Sequence, residues 1–254
     1  MSIDYLTLKN AHMRDKDISF KEEGHVYTVK GDTSYTSVTT WIHSLFEQFD
    51  PDKIIQNMMK SPNWSKNKYY GLSPDEIKGL WNKNRDSAAS AGTKLHYDIE
   101  CKYNQMTVDN DSIEYQYFLK FYNDYKHLTA YRTEMLVYNE DVKLSGSIDM
   151  LFQCPDGTFE IYDWKRCREI VKVSKFNKWI KSESIQHLPD TNYWHYALQL
   201  NTYKYILIHK YGINVTNLYL VALHPDNKNY IRIPVGDLQN EVEQLFQERK
   251  DKLK

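Results

Sequence analysis

The stretch LSGSIDMLFQCPDGTFEIYDWK, residues 144–165, decides the fold. Two runs rich in β-branched and aromatic residues, Leu144 to Phe152 and Thr158 to Lys165, flank Pro155-Asp156-Gly157 and predict an antiparallel pair. A turn centred on Asp156 sets residues equally far on either side of it opposite each other, and Asp149 and Asp163 are such a pair. Their Cβ atoms are then about 4.5–5.5 Å apart on one face. Lys165, two residues beyond Asp163, points to the same face. Two carboxylates that close repel unless a cation stands between them or one takes a proton. The flanking residues, Ile148, Met150, Leu151 and Phe152 against Phe159, Ile161, Tyr162 and Trp164, are apolar on both faces, as in a buried central strand. Ionisable side chains rarely enter such strands unpaired. The residues therefore allow a structural Asp–Lys ion pair at a strand end, or a divalent-metal site in which a lysine polarises a water.

Upstream, Arg132 to Tyr138 reads as a third strand, joined through Asn139-Glu140-Asp141-Val142 to complete a meander. A two-residue loop there brings Glu134 to the same face, unless a bulge intervenes. A helix over Ser112–His127 precedes it. Ser73-Pro74-Asp75-Glu76 has a capping hydroxyl, an N1 proline and a capping-box glutamate, so a helix starts there, with Ile77, Leu80 and Trp81 inward. It runs to about Tyr103, with Ala91-Gly92 its weak point. Ile18–Phe20 and Val26–Val29 predict an N-terminal hairpin, and helices follow over Thr40–Phe49 and from Pro51. Downstream, a helix over Tyr193–Tyr211 is stopped by Gly212; strands Val215–Leu223 and Tyr230–Ile233 come next, then an amphipathic helix from Val235. This order predicts an α/β fold: a mixed sheet flanked by helices as the core over residues 73–254, with a hairpin and helical elaboration over 1–72.

Composition narrows the class. The 254 residues are 41% hydrophobic and 26% charged, in the globular range, and 33 Lys/Arg against 34 Asp/Glu leave −1, so a polyanion would meet a local patch. Three scattered cysteines, Cys101, Cys154 and Cys167, form no CxxC pair, and the first twenty residues lack an apolar segment. An intracellular protein without a membrane span is expected.

Gly92-Thr93-Lys94-Leu95-His96, Gly146-Ser147-Ile148-Asp149, Asp163-Trp164-Lys165 and Gln199-Leu200-Asn201-Thr202-Tyr203 occur in that order. Together they resemble the motifs of the PD-(D/E)XK nuclease superfamily, and more narrowly its RecB-like, lambda-exonuclease-like branch, which includes the mitochondrial genome maintenance exonuclease. The resemblance implies a restriction-endonuclease-like core and a Mg²⁺- or Mn²⁺-dependent deoxyribonuclease, foremost an exonuclease of recombination, repair or replication. It implies that His96, Asp149, Asp163 and the main-chain carbonyl of Trp164 bind the metal, that Lys165 orients or deprotonates the attacking water, and that Gln199 and Tyr203 hold the nucleic-acid backbone. Glu134 is an outer or second-metal ligand in this scheme and Glu100 a weaker one. Three cysteines exclude the branch's four-cysteine iron–sulfur cluster. The alternatives are an endonuclease with the same site and an inactive nucleic-acid-binding module.

Lys165 to Lys181 holds seven basic residues and one acid. Alone this is a solvated face; beside a nuclease motif it becomes a phosphate-tracking groove of Arg166, Arg168, Lys172, Lys175 and Lys178. Trp64, Tyr69 and Tyr70, mixed with Lys66 and Lys68, suit either base stacking or packing beneath a loop.

Overall fold

The computed structural model describes residues 3–174 and 178–253. Its described chain divides into two units: Gln48–Lys94, and the remainder on either side of it. The N-terminal hairpin belongs to the larger unit.

In chain order the larger unit opens with α1 (Tyr5–Lys9), the antiparallel hairpin β1 (Ile18–Lys21) and β2 (Val26–Val29), the two-residue strand β3 (Thr36–Ser37) and α2 (Val38–Ser44). Ser37 caps α2 by accepting the Thr40 amide on its hydroxyl. The helix stops at Ser44, so the expected extension to Phe49 does not form. The smaller unit holds α3 (Pro51–Met59), capped by Asp50 with proline at its first position, and the first five turns or so of α4 (Pro74–Tyr103). The Ser73 capping box is present: Glu76 Oε2 accepts from the Ser73 amide and hydroxyl, and Ser73 Oγ accepts from the Glu76 amide. α4 runs unbroken through Gly92, and Leu80, expected inward, is 43% exposed while Ile77 is buried.

After α5 (Ile113–Asp124) come β4 (Thr129–Asn139), β5 (Leu144–Gln153) and β6 (Phe159–Lys165), the expected meander. The β5–β6 register is centred on Asp156, as Met150↔Tyr162 and Leu151↔Ile161 show. α6 (Asn192–Ile206) continues as a π-helical turn, Leu207–Tyr211, closed by Gly212 at φ 66°, where glycine carries no Cβ penalty. β7 (Val215–Ala222) pairs parallel with β6, β8 (Ile231–Pro234) antiparallel with β7, and α7 (Gln239–Leu253) ends the chain.

The result is a six-stranded mixed sheet, β3-β5-β6-β7-β8 with β4 on β5, flanked by helices and consistent with a restriction-endonuclease-like core. Two apolar clusters cover it. One joins the hairpin, α2, α6 and α7 to Leu151, Ile161 and Leu220; the other joins Leu95, Ile99, Phe118 and Phe121 to Met150, Tyr162 and Trp164. Among the described residues no helix is long and apolar enough to cross a membrane.

β5 has an unusual edge. β4 runs along one side of it from Leu144 to Gln153. The other side is shared: β3 pairs only with Leu144 and Ser145, and β6 only with Met150 to Gln153. Gly146 to Asp149 therefore face a split in the sheet.

Candidate active site

The split is where the ionisable residues gather. The β5–β6 ladder stops one residue short of the Asp149/Asp163 pair, and Asp149 Oδ2 instead accepts the Trp164 amide at 2.9 Å. Asp149 is thus fixed by the backbone of the neighbouring strand. On its other side Glu134 lies level with it in the β4–β5 register, between Thr133↔Met150 and Met135↔Ile148. Glu134 adopts φ 42°, a left-handed conformation uncommon outside glycine, and its Oε2 accepts the Ser147 hydroxyl at 2.6 Å. α4 supplies His96, whose Nδ1 is 3.5 Å from Asp149 Oδ2. His96, Glu134 and Asp149 each offer a ligand atom, all within 4.8 Å of one another.

Asp163 and Lys165 stand beside this cluster as a pair. Lys165 Nζ is 2.8 Å from Asp163 Oδ2, with the two side chains 17% and 3% exposed, and Nζ lies 4.7 Å over the Tyr196 ring. The Asp163 carboxylate is thus engaged by the lysine and stands apart from the three-residue ligand set.

Burial and crowding of negative charge set the protonation. Burial, then the charge of Asp149, pushes Glu134 up to about 8. Burial raises Asp163 to about 6 although Lys165 opposes it. Burial opposes the charged form of Lys165, yet Asp163 and Asp149 outweigh it and hold the ammonium above its ordinary range. Glu100, one turn after His96, is pushed up to about 7 by burial and by Asp4. Burial lifts the Cys167 thiol to about 11, the opposite of an activated nucleophile.

The α6 motif residues divide. Tyr203 is 3% exposed and lies against Gly146, where a Cβ would come within 2.7 Å of its hydroxyl oxygen. Burial pushes that hydroxyl well above its usual range, offset in part by a hydrogen bond with Gln199. Gln199 is half-buried and hydrogen-bonded with Tyr203, which lies against the β5 backbone at Gly146. This corrects the expectation that Tyr203 itself contacts the nucleic acid.

The basic run is corrected at one residue. Arg166 donates to Glu114 at 2.7 Å with both side chains largely buried, so it is a structural pair. Lys178 Nζ is 2.7 Å from Glu47. Lys172 lies 4.4 Å over the Tyr193 ring, Arg168 is exposed without an ion pair among the described residues, and Lys175 lies outside them.

Ser147, Tyr196 and Tyr27 went unnoticed in the sequence. Ser147 stands two residues before Asp149, and Tyr196 one helical turn before Gln199, so strand and helix spacing could have found both. Tyr27, on β2, is buried, and its hydroxyl is raised first by that burial and then by the charges of Glu134 and Asp149. No local signal marks it.

No family model matches the chain, and no curated protein does. Among solved structures, SSO0001 aligns over 88% of this chain and 78% of its own at 13% identity and a TM-score of 0.39. A Eubacterium rectale protein named "Putative exonuclease" aligns over 60% and 70% respectively, at 12% identity and a TM-score of 0.32. Likeness at that level carries no argument about activity.

Proposed function

We propose that this chain is a metal-dependent deoxyribonuclease, an exonuclease that hydrolyses DNA phosphodiester bonds in recombination, repair or replication. The observation that carries the proposal is the convergence of His96, Glu134 and Asp149 beside the Asp163–Lys165 pair in the split of the sheet. The resemblance of the four ordered motifs supports it.

The donor set fits a divalent cation. Two carboxylates and an imidazole are presented together, and Glu134, whose proton affinity is raised first by burial and then by the charge of Asp149, lies where a cation would favour both carboxylates in their charged forms. Mg²⁺ or Mn²⁺ bound by His96, Glu134 and Asp149, with Asp163 and the Trp164 carbonyl as further donors, would supply Lewis acidity toward a phosphodiester and acidify a water. Lys165, paired with Asp163, then serves as a fixed hydrogen-bond donor that orients the attacking water or meets developing negative charge. Tyr196 limits where that ammonium can go. Gln199 positions the phosphate backbone from α6.

End-labelled linear DNA, single- and double-stranded, and closed circles, incubated with Mg²⁺, Mn²⁺ or EDTA, test the proposal. Metal-dependent loss of label from linear DNA, circles left intact, and no cleavage by Lys165→Ala are expected. Cut circles would make the enzyme an endonuclease. DNA bound but uncleaved in either metal would leave a binding module in its place.

A further inference from the structure

The smaller unit carries a second set of residues whose chemistry points to nucleic acid. From Lys53 to Pro74 the chain holds four lysines, Lys53, Lys60, Lys66 and Lys68, and no Asp or Glu. The unit Gln48–Lys94 has eight Lys/Arg against five Asp/Glu, although the whole chain is net −1. Its rings lie in two tiers. Trp81 Nε1 donates to the Tyr69 hydroxyl at 2.9 Å, the two rings stand 6.0 Å apart, and Lys68 Nζ is 4.8 Å over Tyr69. Trp64, half-buried, meets Tyr70 edge-on at 6.0 Å. On this inner tier stand two exposed rings: Phe49, 69% exposed and 5.8 Å from Trp81, and Tyr70, 60% exposed. A single exposed apolar side chain is ordinary. Two exposed rings, each backed by an inner ring, with exposed Lys66 and Lys68 beside Tyr70 and no acid from Lys53 to Pro74, are not explained by packing. Stacking surfaces suit unpaired bases and lysines suit phosphates; in a duplex the base faces are already covered.

We propose that Gln48–Lys94 is a single-strand platform on which Phe49 and Tyr70 stack unpaired bases while Lys60, Lys66 and Lys68 hold phosphates, so that the substrate is taken as a single strand. The substrate identity rests on the nuclease reading above; the binding does not.

Fluorescence anisotropy of the full chain in EDTA, with a labelled oligo-dT and a blunt duplex of equal length, tests it. The single strand binds at least about tenfold tighter than the duplex, and Phe49→Ala and Tyr70→Ala each weaken single-strand binding about tenfold. Tyr70→Trp retains it. Both positions are exposed, and unchanged thermal melts keep a folding defect from mimicking the loss. Equal affinity for duplex and single strand, or no loss on removing either ring, overturns the platform. Hydrolysis of thymidine 5′-(4-nitrophenyl phosphate) in Mn²⁺ separates the two proposals. Its absence alongside ring-dependent binding counts against the nuclease and supports the platform; its presence alongside ring-independent binding does the reverse.

Discussion

Gly146 and Tyr203 occupy a space that only one of them can fill with a side chain. A Cβ at 146 would stand 2.7 Å from the Tyr203 hydroxyl oxygen and 2.8 Å from its ring, and Tyr203 is buried. Gly146→Ala is expected to cost about 1–3 kcal/mol in urea denaturation through overpacking. In a Tyr203→Ala background the same change should add less than about 0.5 kcal/mol, because the conflict has gone. Glu134 gives a pH signature. Its carboxyl binds a proton up to about 8 in the fold, against an ordinary value of 4.5. Between those values the unfolded chain has released a proton that the folded chain retains, so metal-free stability falls as pH rises through that window. Below it both states are protonated and the contribution is complete. Thermal melts in EDTA from pH 4.5 to 8.5 should show that decline, to which Glu100 and Asp163, also raised, contribute below about 7, and Glu134→Gln should reduce it and be the more stable protein at pH 8.

At the scale of elements, the loop after β6 is tied down by Arg166, which sequence reasoning placed on the nucleic acid and which pairs with Glu114. Arg166→Ala leaves the Glu114 carboxylate largely buried without its guanidinium, and a loss of about 3 kcal/mol follows. Glu114→Ala with Arg166→Ala should recover much of it, and single-strand affinity per folded molecule should be unchanged in both. Burial acts against the Glu114 carboxylate, but the hydrogen bond from Arg166 and its charge outweigh it and hold Glu114 below the ordinary range. The meander was legible because its determinants are local: the Asp156 turn fixes the β5–β6 register, and the short β4–β5 connection brings Glu134 level with Asp149. The capping box at Ser73 was legible for the same reason. What could not be read were partners distant in the chain. Glu114 lies 52 residues from Arg166, Glu47 pairs with Lys178 about half the chain away, and Tyr203 meets Gly146 only through tertiary packing. Nor does a two-residue strand such as β3 have any periodicity to detect.

For the whole molecule, near-zero net charge conceals an uneven distribution. The Gln48–Lys94 unit is basic and the rest of the chain net acidic, so the platform proposed above sets its own salt dependence. Contacts of Lys60, Lys66 and Lys68 with three phosphates give a slope of about −2 for log affinity against log salt on single strands. Lys66→Ala should reduce that slope by about 0.7, and a protein neutral in its charge distribution would show almost none. The split beside β5 has a further consequence, for hydrogen exchange. Leu144–Ser145 and Met150–Gln153 are held on both sides, whereas between them only β4 clasps the strand along its length. Main-chain amides of Gly146 to Asp149 directed at the split should therefore exchange with deuterium well before those at either end of the same strand. A strand buried in the middle of a protein would then carry a fast window at its centre, and a ligand filling the gap should slow it.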